Sequence, residues 1–171
     1  AHRGSAFGAL GQPPQPSSEH FANLLYDDLS SHDEKNPVWL EDESRNIGTV
    51  FMPDCFFERM QAAPVVALMM SIETRMPRLL EEYTSFPVEQ IMASVIKISK
   101  RLGGDRTREA LEALKRGDYP TAIRITLEYY DKSYHYGLSK RPEGQVIYIN
   151  TETDDVAVNA ALVMEAAEDV K

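Results

Sequence analysis

Cysteine is almost missing from this chain: Cys55 is the only one in 171 residues. That excludes an internal disulfide and any cysteine-based metal cluster. Cys55 falls in a Phe-rich helical stretch and reads as a small buried filler rather than a nucleophile. No apolar run approaches membrane-spanning length, and no charged-then-apolar leader opens the chain. A soluble, cytoplasmic protein is the expectation. Positive charge is also short, with 18 Lys+Arg against 27 Asp+Glu and a net charge of −9. Whole-molecule electrostatics therefore do not favour nucleic acid. A Gly-x-x-x-x-Gly-Lys-Ser/Thr phosphate loop is missing too, since no Gly-Lys pair occurs anywhere.

What is present is organised around residues 37–48, Pro-Val-Trp-Leu-Glu-Asp-Glu-Ser-Arg-Asn-Ile-Gly. Val38, Trp39 and Leu40 run into Glu41, Asp42 and Glu43. A short apolar run with acids at its far end predicts a buried parallel strand over 38–42, delivering polar groups to its carboxyl edge. There an acid can hold Mg²⁺ and a nearby Arg can grip phosphate. A plain strand ending in a solvated acidic turn fits the same residues.

The first residues, His2-Arg3-Gly4-Ser5-Ala6-Phe7-Gly8, form a glycine-punctuated stretch. It reads either as an anion-binding loop or as a disordered terminus. Ser17 then caps a helix with Phe21, Leu24, Leu25 and Leu29 on one face, ending near Ser31. Gly48 marks a turn, and Pro53 opens a helix expected to bury Phe56, Phe57 and Met60. Pro64–Met70 is a second continuous apolar strand. Ser71 caps the next helix, in which Pro77 implies either a kink or a later start. With a later start, Arg75 and Arg78 are available to a ligand. Otherwise they pair with Glu81 or Glu82.

Pro87 opens a long helix stopped by Gly103-Gly104. A helical hairpin follows, from Thr107 to Arg116 and from Pro120 to about 127–131. Between positions 97 and 124 eight basic residues face four acids. This reversal of charge is either an anion or RNA face or a solvated helix surface of Glu/Arg pairs such as Glu112 and Arg116. Tyr129, Tyr130, Tyr134, His135 and Tyr136 form the most aromatic stretch. They serve either to stack on unpaired bases or to fill the hairpin. Gln145–Ile149 is a third strand, and Thr153-Asp154-Asp155 caps a final helix. Three strands alternating with helices predict an α/β protein. Its parallel sheet, covered by helices on both faces, carries a helical insertion between the second and third strands.

Four stretches in order carry a specific resemblance. They are His-Arg-Gly-Ser-x-Phe-Gly, Val-Trp-Leu-Glu-Asp-Glu-Ser-Arg-x-Ile-Gly, Lys-Arg-Leu-Gly-Gly-x-Arg-Thr and Tyr-Tyr-Asp-Lys-x-Tyr. Together they resemble the carboxy-terminal P-loop domain of the tRNA 2-selenouridine synthase family, through about residue 141. Residues 142–171 read only as a terminal strand and helix. The resemblance implies an enzyme that exchanges the sulfur of wobble 2-thiouridine in tRNA for selenium from selenophosphate. The route passes through a geranylated intermediate made from geranyl diphosphate.

Family members also carry an amino-terminal rhodanese domain with a cysteine. That segment is not in this sequence, and Cys55 does not match its cysteine. The family's phosphate loop lies just before the stretch matching His2-Arg3-Gly4. The chain thus resembles an incomplete P-loop NTPase-like domain, expected to be inactive by itself and either only marginally stable or filling the gap with another chain. The resemblance places Glu41 and Asp42 in the Walker B-like position, for metal or water positioning, with Mg²⁺ the candidate metal. It assigns phosphate or diphosphate contact to Arg3, Ser5 and Arg45. It puts Lys100, Arg101, Arg106 and Thr107 in a basic helical segment, the first three suited to tRNA. A kinase-like NTPase relative and a non-catalytic tRNA or protein interaction module remain alternatives.

Overall fold

Ser17 begins the regular structure of the chain, as its cap chemistry predicts. Its hydroxyl accepts the amide of His20 at 3.2 Å, and helix α1 runs Ser18–Ser30. The structure is a computed structural model that describes residues 6–33 and 35–168. The chain divides into two units, residues 1–63 and 64–171. No helix among the described residues is long and apolar enough to cross a membrane.

In the first unit a small antiparallel hairpin joins β1 (Asn46–Ile47) to β2 (Val50–Phe51). Gly48, at φ +65°, occupies the first central position of the two-residue connection, where a II′ turn needs glycine. Gln15 clamps this hairpin before α1 begins. Its Nε2 donates to Ile47 O at 2.7 Å, and its Oε1 accepts from the Thr49 amide at 2.9 Å. Ser18 Oγ accepts the Phe51 amide at 2.9 Å, fixing α1 to β2. Val50, Met52, Phe7 and Met60 are buried. Helix α2 spans Asp54–Ala62 after Pro53, as expected.

Three expectations for this unit need correction. Residues 38–42 form no strand, and neither sheet pairs with them. An extended segment becomes a strand only when a neighbour takes its backbone donors and acceptors. Here Val38, Trp39 and Leu40 are 42%, 49% and 48% exposed. Cys55 is exposed rather than buried, because it lies on the outward side of α2. Of the three α2 residues expected inside, Met60 is buried while Phe56 and Phe57 are half-buried.

The second unit carries the parallel sheet. β3 (Val65–Met70) pairs in parallel with β4 (Val146–Thr151), with Val65 opposite Val146 and Met70 opposite Thr151. Five helices lie between the two strands in sequence, which is the expected helical insertion. They are α3 (Ile72–Thr84), α4 (Val88–Lys97), α5 (Ser99–Leu102), α6 (Gly104–Lys115) and α7 (Tyr119–Leu138). α8 (Val156–Glu168) packs on both strands. The class is α/β, with two strands rather than three in the parallel sheet among the described residues.

Ser71 caps α3, its Oγ accepting the Thr74 amide at 3.0 Å, so Pro77 lies inside one continuous helix instead of starting it. The long helix expected from Pro87 is broken at Ile98, where φ −96° and ψ 3° leave the helical range between α4 and α5. Gly103, at φ +90°, separates α5 from α6, which begins three residues before Thr107. The bundle core is Ile91, Val95 and Ile98, Leu102, Ala110, Ala113 and Leu114, and Ala122, Ile123 and Ile125. Alanines at 110, 113 and 122 let α6 and α7 approach closely. α7 continues to Leu138, well past the expected end at 127–131.

Candidate functional site

In the first unit the charged stretch after Leu40 turns sharply instead of ending a strand. The Glu43 amide donates to Glu41 O at 2.8 Å, closing a three-residue turn around Asp42. Glu41 and Asp42 are exposed, while Glu43 is half-buried. Burial, with the Glu41 and Asp42 carboxylates close by, raises the Glu43 carboxyl above its ordinary range. Among the described residues no group of three His, Cys, Asp or Glu side chains could hold a metal ion. Glu41 and Asp42 therefore fit at most the one or two carboxylates that Mg²⁺ takes beside substrate phosphate oxygens and water.

Arg45 follows, fixed by the hairpin: its carbonyl accepts the Met52 amide at 2.9 Å. Its guanidinium pairs through Nη2 with Asp54, at the start of α2. Five N–H donors make up that fork, so the single Asp54 contact leaves donors for an oxyanion. Arg45 remains 53% exposed in this pair. Arg3 and Ser5 lie outside the described residues.

In the second unit the basic residues are not equivalent. Arg106 is tied to Glu128 of α7, Arg108 to Asp105 at 2.6 Å, and Arg124 to Glu73 of α3 at 2.8 Å. Lys100 and Arg101, on α5, are exposed and carry no ion pair among the described residues. The structure thus leaves Lys100 and Arg101 more available to a polyanion than Arg106. Thr107 turns its hydroxyl onto Gly103 O at 2.7 Å, a local helix contact.

Arg75 and Arg78 are in neither arrangement anticipated for them. Arg75 makes a two-pronged pair with Asp131 of α7, at 2.9 and 2.6 Å, with both side chains about 30% exposed. Arg78 Nε reaches Asp154 Oδ2 at 3.1 Å, just before α8. These pairs couple α3 to elements 56 and 76 residues further on. No local spacing signals such partners. Sequence reasoning raised base stacking for the tyrosine run that includes Tyr136, and assigned no role to Lys132 or Lys140.

The family model described as the tRNA 2-selenouridine synthase AAA domain matches residues 1–166. The chain belongs to the tRNA 2-selenouridine synthase family. The match reaches through β4 and into α8, beyond the resemblance drawn through residue 141. The chain is similar to tRNA 2-selenouridine synthase of Shewanella piezotolerans, 32% identical with 83% of this chain and 47% of that protein covered. It is also similar to the synthase of Nitrosomonas europaea, 31% identical with 82% and 48% covered. The chain spans about half the length of these curated relatives. No solved structure matches it at a significant level.

Proposed function

We propose that this chain is the substrate-handling part of a tRNA 2-selenouridine synthase. In the complete protein, wobble 2-thiouridine becomes 2-selenouridine, with selenophosphate as selenium donor and a geranylated intermediate. The observation that carries this reading is the family match over residues 1–166. Geranyl transfer from geranyl diphosphate forms a bond from the thiouridine sulfur to the allylic carbon and releases diphosphate. A leaving diphosphate needs fixed positive charge around it. Arg45, with donors beyond its Asp54 contact, supplies that charge together with Arg3, and Ser5 adds a hydroxyl donor to the phosphate. Mg²⁺ held by Glu41 or Asp42 would neutralise diphosphate oxygens. Lys100 and Arg101 meet the tRNA backbone, with Arg106 joining them once it leaves Glu128.

The test is restoration of 2-selenouridine in tRNA of cells deleted for their own synthase, measured by nucleoside mass spectrometry after expression of the complete protein. The expected result is restoration by the wild type and loss of at least about tenfold in Arg45→Ala, the scale of one lost oxyanion contact. Asp42→Asn is expected to fall similarly. Failure of the wild type would overturn the reading. Unchanged modification by both variants would remove the phosphate and metal roles while leaving the family activity in place.

A further inference from the structure

α7 is longer than α6, its partner in the helical hairpin, and its far end is unlike the rest of the molecule. α6 has 12 residues and α7 has 20, or roughly 18 and 30 Å at 1.5 Å per residue. The two are antiparallel across the tight turn at Gly117, φ +75°. Arg106, in the first turn of α6, pairs with Glu128, so α6 ends level with that residue. Every buried residue of α7 lies at 122–126. Beyond Asp131 the helix continues for seven residues without α6 beside it.

The overhang exposes what a hairpin core would hide. Tyr134 is 56% exposed and Tyr136 is 66% exposed. Packing of the hairpin therefore does not account for these two rings. Lys132 and Tyr136 are one turn apart on one side of the helix, and Lys140 follows in the turn just past its end. The Lys140 ammonium lies over the Tyr136 ring, 4.7 Å from its centre. From Lys132 to Pro142 the chain has three basic residues and no acid. The nearest upstream acids, Asp131 and Glu128, are neutralised by Arg75 and Arg106. On a chain of net charge −9, this is a locally cationic, aromatic surface.

Gly137 adds a second, independent observation. It sits within α7, where glycine weakens a helix, yet a Cβ there would meet nothing within 4 Å. No packing contact demands a glycine. It directly follows Tyr136 in the helix, and it leaves the backbone next to that residue open.

We propose that the overhanging end of α7 is a stacking site for an unpaired RNA base, with Tyr136 as platform and Lys132 and Lys140 on the flanking phosphates. Exposed aromatic rings beside cations are how sequence-tolerant single-strand binding is built. The choice of RNA rests on the function proposed above, because the substrate of that reaction is an unpaired wobble base. An acidic protein segment would use the lysines but not the exposed Tyr136 ring.

The test is fluorescence anisotropy of the complete protein with a labelled, unmodified anticodon stem-loop and with a blunt RNA duplex of equal length. The account expects preference for the looped RNA. Tyr136→Ala should weaken that binding about five- to one-hundred-and-fifty-fold, whereas Tyr136→Phe should retain it. Lys132→Ala should lower the slope of log affinity against log salt by about 0.7. Gly137→Leu, a substitution that keeps the helix, should weaken binding by filling the open space. Equal binding of loop and duplex, or no loss in a folded Tyr134→Ala/Tyr136→Ala variant, would overturn the proposal, as would absence of wild-type binding. If the nucleoside assay failed while the tyrosine variants still lost RNA affinity, the catalytic reading would fall and this site would stand.

Discussion

The two halves of α7 share one helix but answer to different constraints. Residues 119–130 lie against α6, and their buried side chains are Ala122, Ile123, Ile125 and Thr126. Residues 132–136 are all exposed, and they are Lys, Ser, Tyr, His and Tyr. The first half is held by burial and by carboxylates: Asp118 caps it, Glu128 meets Arg106, and Asp131 meets Arg75. The second half has no acid and buries nothing. A helix face that stops being apolar where its neighbour stops is ordinary economy. A face that stays aromatic there is what the proposed stacking site requires.

Substitution should separate the halves most sharply. Ile125→Ala, at a residue 4% exposed, should cost about 2–5 kcal/mol in urea unfolding. Tyr136→Ala should cost no more than about 0.5 kcal/mol. A Tyr136→Ala cost as large as that of Ile125→Ala would erase the distinction.

The junction between the halves comes next. Arg75→Ala or Asp131→Ala should cost on the order of 1.5–3 kcal/mol, because each leaves a half-buried charge without its partner. The double variant should cost much less than the sum. Arg75→Lys should not restore the loss, since lysine cannot reproduce the two-pronged geometry. Additive losses would show that Asp131 is not what Arg75 contributes.

Gly137→Ala is expected to act in the opposite direction, raising stability by up to about 1 kcal/mol while no core contact changes. A destabilised Gly137→Ala would mean that the open space beside it is filled in solution.

The smallest effect is set by pH. Hydrogen bonding from Arg124 holds the Glu73 carboxyl below its ordinary value of 4.5. A depressed folded value means that the unfolded state binds the proton more readily, so Glu73 contributes stability above about 4.5 and loses it as pH falls through the folded value. Glu73→Gln should therefore be slightly less stable than wild type at pH 6, and the gap should close under acid. A gap that widened in acid would contradict the assignment. Asp118, lowered by its bonds to Thr121, follows the same sign from 3.8 downward. Both groups act on the paired half of α7.

Local chemistry was legible in the sequence. The Ser17 and Ser71 caps, the Gly48 turn, the Pro53 start and the 64–70 strand all follow from groups within a few residues of one another. The run at 38–42 was not legible, because proline, apolar residues and acids describe a strand's composition but not its neighbour. Its counterpart at 65–70 has the same character and is a strand because β4 lies beside it. The length of α7 was missed for a related reason. Periodicity marks a helix only where a partner imposes it, and no residue of 132–138 is buried. At the candidate site, the basic character of Lys100 and Arg101 was legible. The engagement of Arg45 with Asp54, and of Arg106 with Glu128, was not, because partners 9 and 22 residues apart are set by the fold.

The most direct test of the division within α7 is amide hydrogen exchange of the complete protein, with and without unmodified tRNA. The account predicts that amides of 122–130 exchange slowly in both states. Those of 132–138 should exchange quickly in the free protein, because little burial opposes local opening, and become protected when tRNA is added. Equal exchange rates in the two halves of the free protein, or tRNA protection that leaves 132–138 unchanged, would contradict it.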